Sequence, residues 1–301
     1  SMGLTVQSTS AKASRNFRFA DSEILVALAG NPNVGKSTVF NELTGMNQHT
    51  GNWPGKTVAL AKGTARHQET DYTLVDLPGT YSLIANSAEE AIASEFICFQ
   101  KPAVTIVVCD ATALQRNLNL VLQILQMTAN VVVCVNLMDE ARKKKIEIDL
   151  EKLSELLQVP VVAASARSHQ GLDALMDAVA QLTEHPRTQI ACLDYPFVIQ
   201  NELDRLRGQL RMLDPAYDIP WIALQILNNP ESTLKSLYES TSLSQADIET
   251  LHSLALRSRK VLDQAYKNDR WPDQLIQCPV QQAQRLAEQT VTMNEAEAMK
   301  R

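Results

Sequence analysis

A glycine-rich run near the start of the sequence is typical of loops that bind phosphate. Residues 30–37 read G-N-P-N-V-G-K-S, fit the pattern G-x-x-x-x-G-K-[ST], and directly follow a short apolar run at 24–29. Glycines let successive backbone N–H groups point at phosphate oxygens, and the N-terminus of the helix that begins here favours negative charge. In this pattern Lys36 reaches the β- and γ-phosphates and the Ser37 hydroxyl ligates Mg²⁺. The strand–helix setting disfavours the alternative, a glycine-rich turn that binds nothing.

A second motif, Asp76-Leu77-Pro78-Gly79, ends another predicted strand downstream of the phosphate loop. Its aspartate is suited to hold Mg²⁺ through a water molecule, and the Gly79 N–H is suited to sense a γ-phosphate. A lone D-x-x-G sequence is more often a turn than a site. Its position, at a strand end and after a phosphate loop, indicates that it belongs to the same nucleotide site.

Two further loops carry residue types that recognise guanine. Asn136-Leu137-Met138-Asp139 follows the apolar run at 131–135, and Ser165-Ala166-Arg167 follows the last predicted strand. The Asp139 carboxylate can accept hydrogen bonds from guanine N1–H and N2–H₂, a donor pair that adenine lacks, while Asn136 would tie this loop to the phosphate loop. A backbone N–H of the second loop can meet guanine O6. Taken alone, Asp139 fits a helix N-cap equally well; the set of loops, each at a strand C-terminus, indicates a guanine nucleotide.

The segment between the phosphate loop and the second predicted strand contains T-G-N-W-P-G-K-T at residues 50–57. Two glycines and a proline predict a mobile loop. Such a loop would carry the threonine whose hydroxyl completes Mg²⁺ coordination when a γ-phosphate is present. Thr57 is the favoured threonine and Thr50 is the alternative. Trp53 fits either a partner contact or a packing residue.

The spacing of apolar residues predicts the elements that position these loops. Six short runs rich in β-branched residues read as strands, and helix-period stretches separate most of them, which is typical of an α/β fold with a mostly parallel sheet and helices on both faces. The second and third runs, separated by a short polar stretch, predict an antiparallel hairpin. The strand runs are 24–29, 57–61, 72–75, 104–109, 131–135 and 159–163, and the helical stretches are 37–43, 88–99, 114–127, 150–157 and 172–182.

The strand signal stops near Pro186, which predicts a change of domain. The stretches 196–213, 220–228, 232–238 and 244–266 all read as helices, and the last begins with Ser244 and Asp247 in a capping-box pattern. We therefore expect four parts: a flexible arm at 1–22, a nucleotide-binding domain at 23–186, a small all-helical domain at 187–270, and a linker, tail or detached helix at 271–301.

Composition excludes several function classes. The chain has 301 residues, a net charge of −6 and 5% aromatic residues, so neither a basic nucleic-acid-binding face nor an aromatic stacking platform is expected. The five cysteines are widely spaced, which predicts buried free thiols in a reducing compartment. No apolar run approaches the ~20 residues of a membrane-spanning helix.

Two sets of residues are assigned no chemistry. His49, His67, His169 and His185 stand singly in predicted loops or at element ends, and no pair has metal-ligand spacing, so no transition-metal site is expected from them. The run Arg142-Lys143-Lys144-Lys145 fits a solvated helix face better than a lipid-headgroup contact.

Together the motifs resemble the cytosolic part of the bacterial ferrous-iron transport protein B (FeoB) family, within the TrmE/Era-type GTPase superfamily. The phosphate loop, G-N-W-P-G-K-T at 51–57, D-L-P-G-T-Y-S-L at 76–83 and N-L-M-D at 136–139 carry the resemblance. It spans about residues 24–182 and extends loosely to Tyr266. The resemblance implies a P-loop GTPase followed by a helical domain, called the guanine-nucleotide dissociation inhibitor, and then by a membrane permease. It also implies Mg²⁺-dependent hydrolysis of GTP to GDP and phosphate, driving or gating Fe²⁺ uptake.

Three positions bear on the mechanism that the resemblance implies. Thr80 stands where many small GTPases have the glutamine that orients the attacking water, so slow intrinsic hydrolysis is expected. Similar GTPases use an asparagine at the position of Asn33 to hold K⁺ against the phosphates, which makes Asn33 a candidate K⁺ ligand; alternatively, Asn33 only stabilises the turn. Leu137 replaces the lysine that usually covers the base, which predicts micromolar nucleotide affinity and fast GDP release.

The expected site therefore has catalytic, metal-binding and nucleotide-binding members. Lys36, Thr57, Gly79 and Asn33 form the expected catalytic group, and Ser37, Thr57 and Asp76 are the expected Mg²⁺ ligands. The expected nucleotide contacts are Gly30, Asn31, Pro32, Asn33, Val34, Gly35, Lys36, Ser37, Thr38, Gly55, Lys56, Thr57, Asp76, Leu77, Pro78, Gly79, Asn136, Asp139, Ser165, Ala166 and Arg167.

The expected partners are guanine nucleotide, the membrane permease domain of the same parent chain and, through the resemblance, small Feo accessory proteins and further copies of the chain; nucleic acid is not expected. The fragment would be soluble, at the cytoplasmic side of the bacterial inner membrane. Two alternatives are a soluble GTP-switch protein of ribosome-assembly or tRNA-modification type, and a nucleotide-binding scaffold without turnover. The first usually carries a basic RNA-binding domain, whereas acidic and basic residues roughly balance after Arg187.

Overall fold

The computed structural model of the chain describes residues 19–45, 48–52, 58–84, 87–267 and 270–293. Strands and helices alternate through the first part, and helices follow one another through the second. The strands are β1 (Ile24–Gly30), β2 (Gln48–Asn52), β3 (Ala59–His67), β4 (Thr70–Asp76), β5 (Val104–Asp110), β6 (Val131–Asn136), β7 (Ile146–Ile148), β8 (Val161–Ala163) and β9 (Val291–Met293).

The helices of the first part are α1 to α6, and those of the second part are α7 to α11. Their bounds are α1 (Lys36–Thr44), α2 (Ala88–Glu95), α3 (Leu114–Leu125), α4 (Met138–Lys143), α5 (Leu150–Leu157), α6 (Leu172–Glu184), α7 (Phe197–Leu213), α8 (Pro220–Asn228), α9 (Pro230–Ser240), α10 (Gln245–Ala265) and α11 (Trp271–Thr290).

A seven-stranded sheet with the order β2-β3-β4-β1-β5-β6-β8 forms the centre of the first part. The strands from β4 to β8 in this order are parallel, and β2, β3 and β4 pair antiparallel. The apolar runs of β5 and β6 are buried along almost their whole length, as expected for central strands with helices on both faces. The α/β fold predicted from the strand–helix alternation is confirmed.

The sheet has one strand more than the predicted six. The edge strand β2 pairs with β3, with Thr50 opposite Ala61, where the glycines and proline of residues 50–57 had predicted a mobile loop. β2 is exposed along most of its length, so its Q-H-T-G-N sequence has no apolar alternation from which a strand could be recognised. The predicted hairpin is confirmed, because β3 and β4 pair from Ala61 opposite Asp76 to His67 opposite Thr70.

Each face of the sheet carries its own hydrophobic core. On one face, α1 and α6 pack through residues such as Phe40 and Leu175. On the other face, α2, α3 and α5 pack together with the second, helical part of the chain in one continuous cluster. The backbone N–H of Trp221 donates to the backbone carbonyl of Gln126 at 3.1 Å, and the Tyr195 hydroxyl donates to the Gln126 side-chain oxygen at 3.1 Å. The helical part is therefore joined to the sheet by shared core and by buried hydrogen bonds.

Residues 271–293 differ from the predicted linker or tail. α11 packs against α3 and α5, and the strand β9 that follows it pairs antiparallel with β7, with Ile146 opposite Met293. The Asp149 N–H donates to the Thr290 carbonyl at 2.8 Å. The buried residues of α11 are separated by several glutamines. These polar residues make the helical repeat of apolar residues hard to recognise in the sequence. The apolar residues of α11 become part of the core because they pack against α3 and α5.

Trp271 provides a test of that packing. The Trp271 side chain is 1% exposed, its Nε1–H donates to Asp263 Oδ1 at 2.8 Å, and the Arg259 guanidinium lies 5.0 Å from its ring centroid. Replacing Trp271 by alanine is expected to lower the free energy of unfolding by about 3–5 kcal/mol, because it removes a buried aromatic ring. Guanidinium unfolding measures the change. Ile276→Ala on the same helix, where the side chain is 46% exposed, is the control and should cost far less; equal effects would contradict the packing.

The observed burial of the cysteines agrees only in part with the prediction that all five are buried free thiols. Cys98, Cys109 and Cys134 are buried, and burial raises the pKa of Cys98 and of Cys134 to about 12. Cys192 is exposed and Cys278 is half-buried. Cys192 lies in the irregular connection before α7, and its Sγ accepts a hydrogen bond from Arg207 Nη1 at 3.6 Å.

The flexible arm predicted at 1–22 falls mostly outside the described residues. Phe19, inside that segment, lies edge-on to Phe96 with 6.0 Å between the ring centroids, so this end of the predicted arm packs against the helix that contains Phe96. Among the described helices, none has both the length and the apolar character needed to cross a bilayer.

Candidate functional site

The phosphate loop connects β1 to α1 at the carboxyl edge of the sheet. Asn33 and Gly35 have positive φ angles of 66° and 82°, the left-handed conformation that curls the loop. A Cβ on Gly35 would lie 2.3 Å from Asn136 Nδ2, and one on Gly30 would lie 2.8 Å from the Val108 carbonyl oxygen. Both positions therefore require glycine, because Asn136 at the end of β6 and the backbone of Val108 in β5 approach them closely.

Lys36 opens α1 and is almost fully buried. Its Nζ donates to the Leu77 carbonyl at 2.7 Å and pairs with Asp76 Oδ1. The sequence predicts that Lys36 reaches phosphates; in this structure its ammonium group contacts the end of β4 instead. The two motifs that are 40 residues apart thus meet through this side chain.

The segment after β4 is pinned to the phosphate loop by its backbone. The Leu77 N–H donates to the Leu28 carbonyl at 2.9 Å, and the Thr80 N–H donates to the Gly30 carbonyl at 3.1 Å. Gly79 lies against Pro32, whose Cα would be 3.4 Å from a Cβ at Gly79. Thr80 is buried, and its side chain is short. The residue that follows D-x-x-G therefore does not direct a long side chain at the site.

Asn136 joins the phosphate loop to the two loops that were predicted to read guanine. Its Nδ2 donates to the Val34 carbonyl at 3.0 Å, and its Oδ1 accepts from the Ala166 N–H at 3.0 Å. The Asn136 side chain is buried, so both hydrogen bonds are shielded from water. This one amide sets the spacing between the loop suited to phosphate and the loops suited to a base.

Asp139 and Ser165 meet at the same edge. The Asp139 N–H donates to Ser165 Oγ at 3.2 Å, while no described group hydrogen-bonds the Asp139 carboxylate. The second loop differs from the expectation in one respect: the Ser165 N–H donates to the Gln170 carbonyl, and the Ala166 N–H donates to Asn136. A guanine O6 that met either N–H would share it with, or replace, the protein acceptor. Arg167 is exposed.

The remaining predicted residues divide into two groups. Ser37 is exposed at the start of α1, and Asn33 is exposed on the phosphate loop. Pro32, Thr38 and Pro78 are half-buried and Val34 is buried beside them. Gly55, Lys56 and Thr57, with Trp53, lie outside the described residues. Thr50, the alternative Mg²⁺ ligand, lies in the edge strand β2.

Two buried amides lie at the site: Asn31 was among the predicted nucleotide contacts, whereas Gln123 was missed. The Asn31 side chain is 1% exposed, and neither its oxygen nor its nitrogen has a hydrogen-bond partner among the described residues. Gln123 on α3 accepts from the Leu83 N–H at 2.6 Å and donates to Ser82 Oγ at 2.9 Å. Gln123 stands between apolar residues of an amphipathic helix, and a polar residue in that position is the signal that could have found it.

Two of the four histidines without an assigned role contact carboxylates. His67 Nε2 lies 2.7 Å from Asp177 Oδ1, and His169 Nδ1 lies 2.5 Å from Glu42 Oε2. These contacts join β3 to α6 and α1 to the turn before α6. They lie at the surface and make each imidazole part of a surface pair.

The comparison with known families agrees with this geometry. The model of the family described as ferrous iron transport protein B matches residues 24–179, which include the phosphate loop, the D-x-x-G motif and the three loops around Asn136. The chain belongs to the FeoB family. The resemblance read from the motifs is thereby confirmed.

Individual FeoB proteins match over a larger part of the chain. The Fe(2+) transporters FeoB of Salmonella typhimurium strain LT2 and Escherichia coli strain K12 are each 36% identical over 209 residues, which is 68% of this chain and 27% of theirs. The chain thus spans about a quarter of the length of these relatives.

Solved FeoB domains match the whole architecture. The cytosolic domain of L. pneumophila FeoB covers 89% of this chain and 99% of its own, with a TM-score of 0.73 and 28% identity. The cytosolic domain of the T. maritima FeoB iron transporter in its GMPPNP form has a TM-score of 0.68 and 30% identity, with the same coverage. A mutant of S. thermophilus NFeoB bound to GDP has a TM-score of 0.75 and 28% identity, also over 89% and 99%.

The variant Asn136→Ala tests whether the Asn136 side chain holds the loops of the site together. Loss of its two buried hydrogen bonds is expected to lower the free energy of unfolding by about 2–3 kcal/mol, because the Val34 carbonyl and the Ala166 N–H lose their partner. The affinity for guanine nucleotide should also fall, as the loops lose their spacing. Chemical denaturation and titration with a fluorescent GDP analogue measure both effects.

Asn130→Ala is the matched control. Its side chain also makes two hydrogen bonds, both to the backbone of Arg187 at 3.0 and 2.7 Å, but it lies at the start of β6, away from the loops. Nucleotide affinity should be unchanged in this variant. Equal losses of affinity in the two variants would contradict the role given to Asn136.

Proposed function

We propose that this chain is the module of a ferrous-iron transporter that binds GTP and hydrolyses it. The observation that carries the proposal is the Asn136 side chain, which bridges the phosphate loop at Val34 and the Ser165–Arg167 loop at Ala166. The bridge supports one nucleotide site, with phosphates at one end and the base at the other. The GDP- and GMPPNP-bound FeoB structures that resemble this chain support the same assignment.

Coupling to Fe²⁺ uptake is proposed from the family. The curated relatives are Fe(2+) transporters, and this chain spans about a quarter of their length, so the permease and the transport step belong to the whole protein. We place the module at the cytoplasmic side of the bacterial membrane, attached to that permease, with small Feo accessory proteins and further copies of the chain as candidate partners. The alternative, a GTP switch acting on RNA, is not favoured by a net charge of −6.

In the proposed cycle Lys36 exchanges partners. In the structure its ammonium group contacts Asp76 and the Leu77 carbonyl. The β- and γ-phosphates carry more negative charge than these two acceptors, so they draw the ammonium group toward the phosphate loop. The exchange releases the Asp76 carboxylate.

The donor set around this carboxylate fits Mg²⁺. The Asp76 carboxylate and the exposed Ser37 hydroxyl supply hard oxygen ligands, and Thr57 is the proposed third protein ligand. Mg²⁺, when bound, offsets phosphate charge. Asn31, whose buried amide has no hydrogen-bond partner within the described ranges, adds a polar group to the phosphate loop that a polar ligand could satisfy.

Positive charge for hydrolysis is proposed to come from K⁺ held by Asn33. Thr80 is too short to orient the attacking water, and it is buried, so hydrolysis without a further cation is expected to be slow. Asn33 is exposed and its φ angle is positive, which sets its amide at the outer side of the phosphate loop.

Nucleotide affinity is proposed to be micromolar, with fast release of GDP. Leu137 is half-buried and would cover the base with an aliphatic side chain, but it lacks the ammonium group of the usual lysine. A dissociation constant below nanomolar for a fluorescent GDP analogue would contradict this.

The test of the proposed function is hydrolysis with guanine and adenine nucleotides. GTP should be hydrolysed and ATP should not bind, as followed by phosphate release and fluorescent-nucleotide titration. KCl should accelerate hydrolysis relative to NaCl at matched ionic strength, and Asn33→Ala should abolish the acceleration while leaving GDP affinity within about threefold, since one neutral contact is lost. Equal rates in the two salts would remove the K⁺ assignment, and absence of GTP binding would remove the proposed function.

A further inference from the structure

Four adjacent basic side chains remain without a role in the nucleotide site. Arg142 and Lys143 end α4, Lys144 and Lys145 follow it, and all four are exposed. In the described part of the chain, one of the four forms an ion pair, Lys143 with Glu140 at 3.4 Å. Adjacent cations repel one another, and they are held together here in a chain with a net charge of −6. Such a local excess of positive charge favours contact with an anionic partner.

An apolar groove adjoins the four basic residues. It lies between α3, α11 and the start of β7, and its volume is about 750 Å³. Val280, Ala287 and Met293 contribute apolar surface to it, while Lys144 and Arg116 contribute positive charge and Glu288 one negative charge. Val280 is 39% exposed. Apolar surface with basic side chains beside it matches the interfacial zone of a bilayer, where anionic headgroups lie above the acyl chains.

The end of β9 lies next to the basic residues. β9 runs antiparallel to β7 with Met293 opposite Ile146, and Ile146 directly follows Lys145 in the chain. The position is held by the pairing of the two strands and by the Asp149–Thr290 hydrogen bond of 2.8 Å. Met293, which also lines the groove, is therefore held at the edge of the basic cluster.

We propose that Arg142–Lys145, together with the adjoining groove, form a surface that contacts anionic phospholipids of the membrane. The ammonium and guanidinium groups would donate hydrogen bonds to phosphodiester oxygens, and the Val280 side of the groove would face the apolar part of the interface. The location at a membrane rests on the proposed function; the lipid contact itself rests on the charge and shape of this surface. This reverses the interpretation of the run as a purely solvated face.

Vesicle flotation tests the surface on the chain as it stands. The probes are vesicles of phosphatidylcholine alone and vesicles of phosphatidylcholine and phosphatidylglycerol in equal parts. We expect flotation with the second kind only, and weakening as salt is raised, since surface charges are screened. The triple variant Lys143→Gln, Lys144→Gln, Lys145→Gln should partition on the order of a hundredfold more weakly, because each cation near an anionic surface contributes about fivefold.

The control removes the same charge elsewhere. Lys235, Lys260 and Lys267 are exposed in the helical part, and their replacement by glutamine should leave flotation within about twofold. Equal loss in the two triple variants, or no flotation of the wild-type chain, would overturn the lipid surface. Binding to soluble polyglutamate that matches binding to the anionic vesicles would also overturn it, in favour of an acidic peptide.

Nucleotide binding is measured in parallel on each variant. The three lysines lie outside the nucleotide site, so affinity for a fluorescent GDP analogue should be unchanged in the variant that no longer floats. Loss of flotation with intact GDP binding identifies the lipid surface alone. Flotation without any GDP binding would leave the surface standing while the proposed function fails.

Discussion

Replacing Asp139 by asparagine is expected to lower the affinity for GTP by roughly 10³-fold and to create affinity for xanthosine triphosphate. In the proposed site, the Asp139 carboxylate accepts hydrogen bonds from guanine N1–H and N2–H₂. The amide of asparagine instead presents an N–H₂ group to the guanine N2–H₂ donor, which leaves buried donors unpaired. Xanthine carries a carbonyl oxygen at C2, which can accept from that amide. Competition of the two triphosphates against a fluorescent GDP analogue measures the exchange of specificity.

Glu140→Gln is the control for Asp139. It makes the same carboxylate-to-amide change on the next residue, whose side chain pairs with Lys143 at the surface. GTP affinity and specificity should be unchanged. If Asp139→Asn weakened binding of GTP and xanthosine triphosphate equally, Asp139 would not read the base and the guanine assignment would rest on the other loops alone. The fold should survive, because the Asp139 contact that the structure shows is made by its backbone N–H.

Lys36→Ala is expected to reduce GTP affinity on the order of 10³-fold, because two charge-assisted hydrogen bonds to phosphate are lost. The nucleotide-free protein should also become less stable by about 2 kcal/mol, since the half-buried Asp76 carboxylate and the Leu77 carbonyl lose their donor. Isothermal titration gives the affinity, and chemical denaturation without nucleotide gives the stability.

Lys101→Ala separates these effects from the loss of any lysine. Lys101 Nζ donates to the Ala216 carbonyl at 2.8 Å, at an exposed position away from the nucleotide loops. GTP affinity should not change in this variant. If Lys36→Ala bound GTP as tightly as wild type, the exchange of Lys36 between Asp76 and phosphate would be wrong.

Most of the fold follows from local patterns, and its exceptions have physical causes. α5 and α8 were predicted at their observed bounds, and the capping box of Ser244 and Asp247 is present, because each depends on neighbouring residues. β2 was missed because its pairing uses backbone groups and polar side chains. The three-residue strands β7 and β9 are too short to show a period, and each exists only through the other.

The candidate site likewise has features that the sequence predicts and features that it does not. The residue types and spacing of the four loops were enough to indicate phosphate, Mg²⁺ and guanine, because each motif performs its chemistry with neighbouring residues at a strand end. The contact of Lys36 with Asp76, the use of the Ala166 N–H by Asn136 and the unpartnered amide of Asn31 could not be predicted. They depend on which groups from distant segments compete for one donor or acceptor once the loops are brought together.

The amino-acid sequence alone therefore determined the class of the protein: a guanine-nucleotide loop set on a mostly parallel sheet, followed by helices. Tertiary structure decided that residues 271–293 belong to the core, that Asn136 connects the loops of the site, and that Arg142–Lys145 lies beside the end of β9. Motifs and periods are local, so they can be read along the chain. Packing of α11 on α3 and pairing of β9 with β7 join segments far apart in sequence, and only the folded chain brings such segments into contact.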